Sequence, residues 1–197
     1  MNYYLFLLVC FSSWVAANDL ALEGDISDYV LASNGSTIVK VNRDGVESNI
    51  YSDGKWQIVT AVGTNYDIDE SLNVLASVSP NSKYVAFRYN SGEFERSIRV
   101  IDIKTLSLIL EEDIRDFLWL TDSRLALFLN SEADYPFFNY KGILVIDLQD
   151  NSKKIQFPEY IFTGSYVGAN DYFLAETYDY SNPDLLYKIE NKLLKWQ

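Results

Sequence analysis

Residues 79–112 read S-P-N-S-K-Y-V-A-F-R-Y-N-S-G-E-F-E-R-S-I-R-V-I-D-I-K-T-L-S-L-I-L-E-E, and they carry the clearest pattern of secondary structure in the chain. Its apolar run at 84–87 is bounded by S-P-N-S on one side and by N-S-G on the other. Short apolar runs between turn residues are typical of buried β-strands. A β-branched run at 98–101 and an alternating run at 106–110 follow, so the stretch predicts one strand and then an outer hairpin.

The same order of strand, loop and hairpin recurs along the chain. The copies of the apolar strand lie at 29–32, 84–87, 125–128 and 172–175, and the hairpins that follow them lie at 38–51, 98–112, 143–157 and 185–196. The last three copies are spaced by about 40 to 50 residues, the period of propeller blades. The first spacing is longer, so we expect an insertion at 56–73. The strand that completes each later blade is expected from the segments 74–78, 117–120 and 160–162.

This repeat predicts an all-β chain that forms a β-propeller of about four antiparallel blades, or a partial propeller arc. The blades are expected at 20–55, 74–112, 117–158 and 160–197. A single four-stranded sheet cannot cover its own apolar face, and blades stacked around an axis cover one another. The alternative is a β-sandwich with hairpins of similar length. A short helical turn at 109–117 has little support, because β-branched and aromatic residues dominate.

The first 17 residues differ in character from the rest. A short apolar run at 5–11 and the small residues that end at Ala17 predict a secretory signal peptide at 1–17. The run is too short to span a bilayer, which favours a cleaved signal over a membrane anchor. We therefore expect residues 18–197 to form the propeller domain, exported to a periplasm or to the extracellular space. Cys10 is the only cysteine, so this domain contains no disulfide.

The charge of the chain restricts its partners. With 28 acidic and 16 basic residues the net charge is −12, which would repel the phosphates of nucleic acid. We expect partners among proteins or peptides, especially those with basic faces, and no stable membrane span after signal cleavage. Open blade edges also offer a route to self-association.

Most catalytic and metal chemistry is excluded by residue type. Histidine is absent, which excludes Ser-His-Asp triads and the usual zinc sites. No P-loop and no dinucleotide fingerprint occurs, so no cofactor is expected. A calcium-loop pattern begins at Asn65, Asp67 and Asp69, but Glu70 stands where the loop needs glycine, so no metal site is expected.

Two carboxylates recur at equivalent places in the repeat. Asp102 and Asp147 each end a strand before a hairpin turn. Aspartate at such a place caps the turn by accepting backbone N–H groups, which is the interpretation we favour. A pair of carboxylates of the glycosidase kind is the alternative. We expect no catalytic residue.

Aromatic residues form two clusters in the loops between strand and hairpin. Exposed aromatics beside acidic residues can bind a partner, although the same residues could instead plug a propeller channel or cover a blade edge. The candidate partner-binding residues are Tyr135, Phe137, Phe138, Tyr140, Tyr178 and Tyr180.

The repeat resembles a known propeller repeat. S-P-N-S-K-Y-V-A-F at 79–87, followed by V-I-D at 100–102, resembles the S-P-D-G-K-x-[IVL]-A-F…V-x-D pattern, with Asn81 and Ser82 in place of Asp-Gly. F-L-W-L-T-D-S-R-L-A at 117–126 is similar to the W-S-P-D-S-[RK]-x-[IL]-A form of that pattern. Such repeats belong to TolB-like and WD-type propellers, and to the N-terminal propeller of prolyl oligopeptidase-family serine peptidases of the dipeptidyl peptidase IV and acylaminoacyl peptidase types.

The resemblance implies a propeller fold and says little about activity, because the repeat is structural. In the peptidases the propeller covers a separate α/β-hydrolase domain, and this chain contains neither its G-x-S-x-G motif nor a histidine, so no catalytic residue carries over. The expected function is that of a non-catalytic exported propeller module that binds proteins or peptides. The alternatives are a truncated or N-terminal part of such a peptidase and a carboxylate-dependent, sugar-active enzyme.

Overall fold

The computed structural model describes residue 20 and residues 22–64, 72–91, 96–129, 140–169, 172–178 and 189–196. These residues form an all-β structure with one short 3-10 helix, Ile26–Asp28. The strands, in chain order, are β1 Tyr29–Leu31, β2 Ile38–Lys40, β3 Glu47–Ser52, β4 Lys55–Thr60, β5 Leu75–Val78, β6 Tyr84–Asn90, β7 Arg96–Asp102, β8 Leu108–Trp119, β9 Arg124–Leu129, β10 Tyr140–Asp147, β11 Ser152–Ala169, β12 Tyr172–Tyr178 and β13 Ile189–Lys195. No helix in this part of the chain is long and apolar enough to cross a membrane. The expected signal peptide at 1–17 lies outside the described residues.

The strands pair in chain order into two antiparallel sheets, β1 to β4 and β5 to β13. Two long strands divide the larger sheet into blades. In β8, residues 108–114 pair with β7, whereas 116–119 pair with β9. In β11, residues 152–156 pair with β10 and 166–169 pair with β12, while 161 and 162 between them pair with both. We call strands β1 to β4 blade 1. Blade 2 comprises β5, β6, β7 and the first half of β8, and blade 3 comprises the second half of β8, β9, β10 and the first half of β11. Blade 4 comprises the second half of β11 with β12 and β13.

A break in the pairing register marks each passage from one blade to the next. In β8 the shift lies between Ile114 and Asp116, and in β11 it lies between Phe162 and Tyr166. A bulge of this kind bends the strand and increases its twist. The bend turns the strands that follow, so that neighbouring blades stack face to face.

Buried side chains fill the three spaces between neighbouring blades. They include Val39 and Phe87 between blades 1 and 2, Ile98 and Leu127 between blades 2 and 3, and Phe128 and Phe173 between blades 3 and 4. Burying one such side chain contributes about 1.5–3 kcal/mol. Packing between blades therefore holds the arc together.

The middle blades bury both of their faces. In β9, Leu125 and Leu127 pack toward blade 2, while Ala126 and Phe128 pack toward blade 4. This explains why the strands read as unbroken apolar runs rather than as an alternation of apolar and polar residues. The predicted propeller, as an arc of four blades, is confirmed, and the β-sandwich is wrong because a sandwich buries one face of each sheet.

Two predicted hairpins have the expected register. Ile38 lies opposite Tyr51 in the first, and Ile98 lies opposite Glu112 in the second. The segment considered for a helical turn, 109–117, is part of β8.

The first copy of the repeat was placed one strand too early. The repeat pattern equates 29–32 with 84–87, but β1 is the first strand of its sheet and β6 is the second strand of blade 2. In the core between these blades, Val39 of β2 packs in the same cluster as Val85 and Phe87 of β6. The equivalent of 84–87 is therefore β2, a short strand that the sequence pattern predicts as the start of a hairpin.

Two further expectations differ from the structure. Lys55–Thr60 forms β4, the last strand of blade 1, although we expected an insertion to begin at residue 56. The hairpin expected at 185–196 is a single strand where it is described: Glu190 and Asn191, its expected turn, lie inside β13 opposite Thr177 and Glu176. Asn191 is exposed, so a turn-favouring side chain remains in solvent there at little cost.

The turn before β6 explains a departure from the repeat pattern. Ser82 has φ +59°, the left-handed conformation that the pattern usually assigns to glycine. Asn81 takes the part of the usual aspartate, because its Oδ1 accepts the backbone N–H of Lys83 at 3.0 Å. The Ser82 hydroxyl accepts the backbone N–H of Asn34 at 3.2 Å, so this turn also contacts blade 1.

Candidate binding groove

A groove of about 310 Å³ lies between the first strands of blades 2 and 3. First strands line the axis of a propeller, so the groove opens toward the inner side of the arc. Its walls are mostly apolar. The lining residues are Leu75, Ala76, Ser77, Arg88, Asp116, Phe117, Leu118 and Trp119.

An ion pair crosses the groove from one blade to the next. Arg88 Nη1 lies 2.8 Å from Asp116 Oδ1, and each side chain is about a quarter exposed. The same Asp116 oxygen accepts the backbone N–H of Phe117 at 2.9 Å. The bulge in β8 places Asp116 here, immediately after the register shift. A partly exposed ion pair contributes roughly 1 kcal/mol or less to stability. It matters here mainly because it places a paired charge beside the apolar walls of the groove.

One side of the groove is the free edge of a sheet. β5 is the end strand of the nine-stranded sheet and pairs only with β6 among the described strands. Its other edge presents backbone N–H and C=O groups that an extended chain could meet. Leu75, on this strand, is 39% exposed, which is high for a leucine beside a core.

Trp119 provides an unused hydrogen-bond donor near the groove. Its ring lines the groove, and its indole Nε1 is buried without an acceptor in the described part of the chain. An unpaired buried donor costs about 1–3 kcal/mol. A carbonyl group supplied from outside would relieve this cost if it reached the indole.

The predicted aromatic cluster lies largely beyond what the structure describes. Tyr135, Phe137, Phe138 and Tyr180 fall outside the described residues, and of Tyr140 and Tyr178 only the backbone is described. Tyr140 lies opposite Phe162, and Tyr178 lies opposite Ile161, on the two sides of β11. The backbone thus brings two of the six predicted positions to one level of the sheet, away from the groove between blades 2 and 3.

The two repeated aspartates cap turns, as the sequence indicated. Asp102 Oδ1 accepts the backbone N–H groups of Lys104 and Thr105 at 3.0 and 2.9 Å. Asp147 Oδ1 accepts the backbone N–H of Gln149 at 3.0 Å. The described residues contain no group of three acidic, cysteine or histidine side chains that could hold a metal ion, and the calcium-like segment from Asn65 lies outside them.

Sequence reasoning missed the groove. Its residues come from three separate segments, at 75–77, at Arg88 and at 116–119, which meet only when blade 3 stacks on blade 2. The available signal was the charge of Arg88, since it interrupts an otherwise apolar strand, whereas Asp116 follows four other charged residues in 111–115 and does not stand out.

No protein-family model matches the chain, and a search of curated proteins finds no match. Among solved structures, the acylaminoacyl peptidase of Pyrococcus horikoshii in its orthorhombic crystal form is similar with a TM-score of 0.44 and 18% identity, over 81% of this chain and 29% of the peptidase. The β-propeller domain of the trilobed protease from Pyrococcus furiosus, described as having an open velcro topology, is similar with a TM-score of 0.42 and 14% identity, over 86% of this chain and 54% of that chain. The propeller architecture of this protein rests on its own strand order and blade packing.

Proposed function

We propose that the chain is a non-catalytic propeller module that binds an extended peptide, or an extended segment of a protein, in the groove between blades 2 and 3. The free edge of β5 beside apolar walls is the observation that carries this proposal. Addition of a strand to a sheet edge is a general mode of peptide recognition, in which backbone hydrogen bonds give affinity and pockets for alternate side chains give specificity.

The chemistry of the groove indicates what kind of peptide it would accept. Apolar side chains at alternate positions would meet Leu75 and Phe117, and a polar group would meet the pair formed by Arg88 and Asp116. The net charge of −12 attracts peptides with flanking lysine or arginine. Asp102 and Asp147 already accept turn N–H groups, which supports a non-catalytic role.

The proposal is tested with a random nonapeptide library, scored by fluorescence anisotropy on the full chain. We expect selected peptides to alternate apolar residues and to carry flanking basic residues. Leu75→Asp should weaken their binding at least tenfold, because it places a carboxylate at the apolar wall. Leu108→Asp is the matched control, since Leu108 is 44% exposed and does not line the groove, and it should bind as the natural chain does.

Two readouts separate the parts of the proposal. Hydrogen exchange of β5 amides should slow when a selected peptide is present, which reports pairing at that edge. Mass spectrometry of the recovered peptide should find it uncut after prolonged incubation. Equal binding by the Leu75→Asp chain would place the site elsewhere, and a cut peptide would overturn the non-catalytic role.

A further inference from the structure

The turn between β1 and β2 contains the one Asn-Gly pair of the chain, Asn34 and Gly35. Both residues are exposed, and a β-carbon built on Gly35 would meet nothing within 4 Å. Asparagine is chemically labile, because the next backbone nitrogen can attack its side-chain carbonyl carbon and release the amide nitrogen as ammonia. Glycine has no side chain to hinder that attack. By sequence, this turn therefore presents the asparagine that is most prone to deamidation.

Hydrogen bonds fix the side chain of Asn34 within the turn. Its Oδ1 accepts the backbone N–H of Ser36 at 2.9 Å and that of Thr37 at 3.0 Å. Its Nδ2 donates to Thr37 Oγ1 at 3.0 Å. Two N–H donors on one carbonyl oxygen stabilise the negative charge that develops there when a nucleophile attacks the carbon. The turn thus gives deamidation the same aid that an oxyanion hole gives to acyl transfer.

The attacking nitrogen takes part in the turn as well. Gly35 N–H donates to the carbonyl oxygen of Ala32 at 3.0 Å, so this hydrogen bond must open before the nitrogen can react. A single hydrogen bond in an exposed turn opens at a much lower free energy than the strands around it. The reaction therefore needs only a local opening of the turn, while the sheets stay folded.

The same contacts suit a carboxylate in place of the amide. An aspartate at position 34 would still accept the N–H groups of Ser36 and Thr37, and hydrogen bonds to a charged acceptor are stronger. The Thr37 hydroxyl, which now accepts from Nδ2, can rotate and donate instead. A cleft of about 390 Å³ beside the turn is lined by Lys83, Lys104 and Asp53, so the new charge would have two cations and one anion near it. Each hydrogen bond of this side chain thus has a counterpart after deamidation.

We propose that Asn34 is a site of spontaneous deamidation and that the folded turn directs the reaction to aspartate. The Gly35 nitrogen forms a bond to Asn34 Cγ and loses its proton to a solvent base, the bond from Cγ to Nδ2 breaks, and ammonia leaves with a proton from water. Water then opens the cyclic imide: attack at Cγ gives aspartate, and attack at the main-chain carbonyl carbon gives isoaspartate. The N–H groups of Ser36 and Thr37 polarise the Cγ carbonyl, so they favour attack at Cγ. The site is independent of the proposed peptide groove.

The rate at Asn34 is tested by incubating the full chain at pH 8 and mapping its peptides by mass spectrometry. Asn81 is the matched control: it is exposed in the corresponding turn of blade 2, and its Oδ1 accepts the backbone N–H of Lys83 at 3.0 Å, but serine follows it instead of glycine. Asn34 should lose ammonia at least tenfold faster than Asn81. An Asn34 that stays intact, or that reacts no faster than Asn81, would overturn the site.

The identity of the product tests the role of the folded turn. Electron-transfer fragmentation distinguishes aspartate from isoaspartate. Aspartate should predominate in the folded chain, whereas isoaspartate should predominate in the chain unfolded by urea. The Asn34→Asp chain should also unfold at a temperature no lower than that of the natural chain, because its hydrogen bonds are retained. The same product ratio in both states, or a lower unfolding temperature for Asn34→Asp, would overturn the part assigned to the turn.

Discussion

Tyr89 shows how one buried polar group ties together two strands of a blade, β6 and β8, that lie on either side of β7. Its side chain is almost fully buried in the cluster between blades 1 and 2, and its hydroxyl donates to Glu111 Oε1 at 3.2 Å. Burial disfavours the phenolate and raises the pKa of Tyr89 above its ordinary value of 10. A hydroxyl that resists ionisation makes the folded state sensitive to alkaline pH.

We expect stability to fall at high pH through this residue. A pKa raised on folding gives a stabilisation that is present below pH 10 and is lost as the pH rises through the folded value. At pH 8 the natural chain should therefore be more stable than Tyr89→Phe by about 1 kcal/mol, the usual value of one hydrogen bond. Above pH 10 this difference should shrink, as measured by urea unfolding.

Tyr172→Phe controls for the loss of a hydroxyl in general, because Tyr172 is exposed on the outward face of blade 4. If the difference between the natural chain and Tyr89→Phe is the same at pH 8 and at pH 11, burial does not affect the ionisation of Tyr89 as described.

At the scale of strands, the bulge in β10 depends on one glycine. Gly142 has φ +74° and sits at the shift in register between Lys141 and Ile143. A β-carbon there would lie 3.0 Å from Ile155 Cγ2 and 3.3 Å from the carbonyl oxygen of Gln156. The conformation and the close contacts therefore both disfavour a side chain at this position.

Gly142→Ala should lower the free energy of unfolding by about 1–2 kcal/mol from backbone strain, with a further loss from the contact with Ile155. Gly54→Ala isolates the strain, since Gly54 has φ +79° and a β-carbon there would meet nothing within 4 Å. Urea unfolding of both variants measures the two costs. A loss for Gly142→Ala no greater than for Gly54→Ala would mean that the neighbouring strand yields without cost.

The sequence allowed two hairpins to be predicted with their register, because turn residues and β-branched runs are local signals. It did not reveal that β8 is continuous. E-E-D at 111–113 reads as a break between blades, yet Glu112 pairs with Ile98 and Asp113 with Ser97. Acidic residues near the outer rim of a blade remain solvated, so they do not end the strand. Polar residues in the sequence therefore predict a strand end at the wrong place, because only the hydrogen-bonded pairing shows how far β8 extends.

The groove between blades 2 and 3 lay beyond prediction for a different reason. Contacts between blades join residues about 30 to 40 positions apart, as Arg88 and Asp116 are. A repeat pattern indicates that blades stack, but it does not indicate which outward residues meet. Arg88 is the one local signal of the groove, because it is a charged residue inside an apolar strand.

At the scale of the whole molecule, blade 1 is attached differently from the others. Blades 2, 3 and 4 share one hydrogen-bonded sheet, whereas blade 1 is a separate sheet held by face packing on blade 2. A unit that shares no strand pairing with the rest, and is held by packing and a few hydrogen bonds such as that from Asn34 N–H to Ser82, can open while the rest of the structure stays folded.

We expect amides of β2 and β3 to exchange with solvent at a lower opening free energy than amides of β6 and β9. Val59→Ala should lower the opening free energy of blade 1 by about 2 kcal/mol, since it leaves a small cavity in the first core. Val145→Ala is the matched control: Val145 is as buried as Val59 but packs between blades 3 and 4. Native-state hydrogen exchange measures both, and equal exchange in all blades would show that the arc opens only as a whole.

The long strands β8 and β11 have a consequence for how such a chain can change over generations. One strand serves as the outer strand of one blade and the inner strand of the next, so a residue gained or lost inside either paired half would turn side chains of that half to the opposite face of its blade. Deletions and duplications that survive selection should therefore have their breakpoints in the turns at 103–107 or 148–151, and carry the bent strand whole.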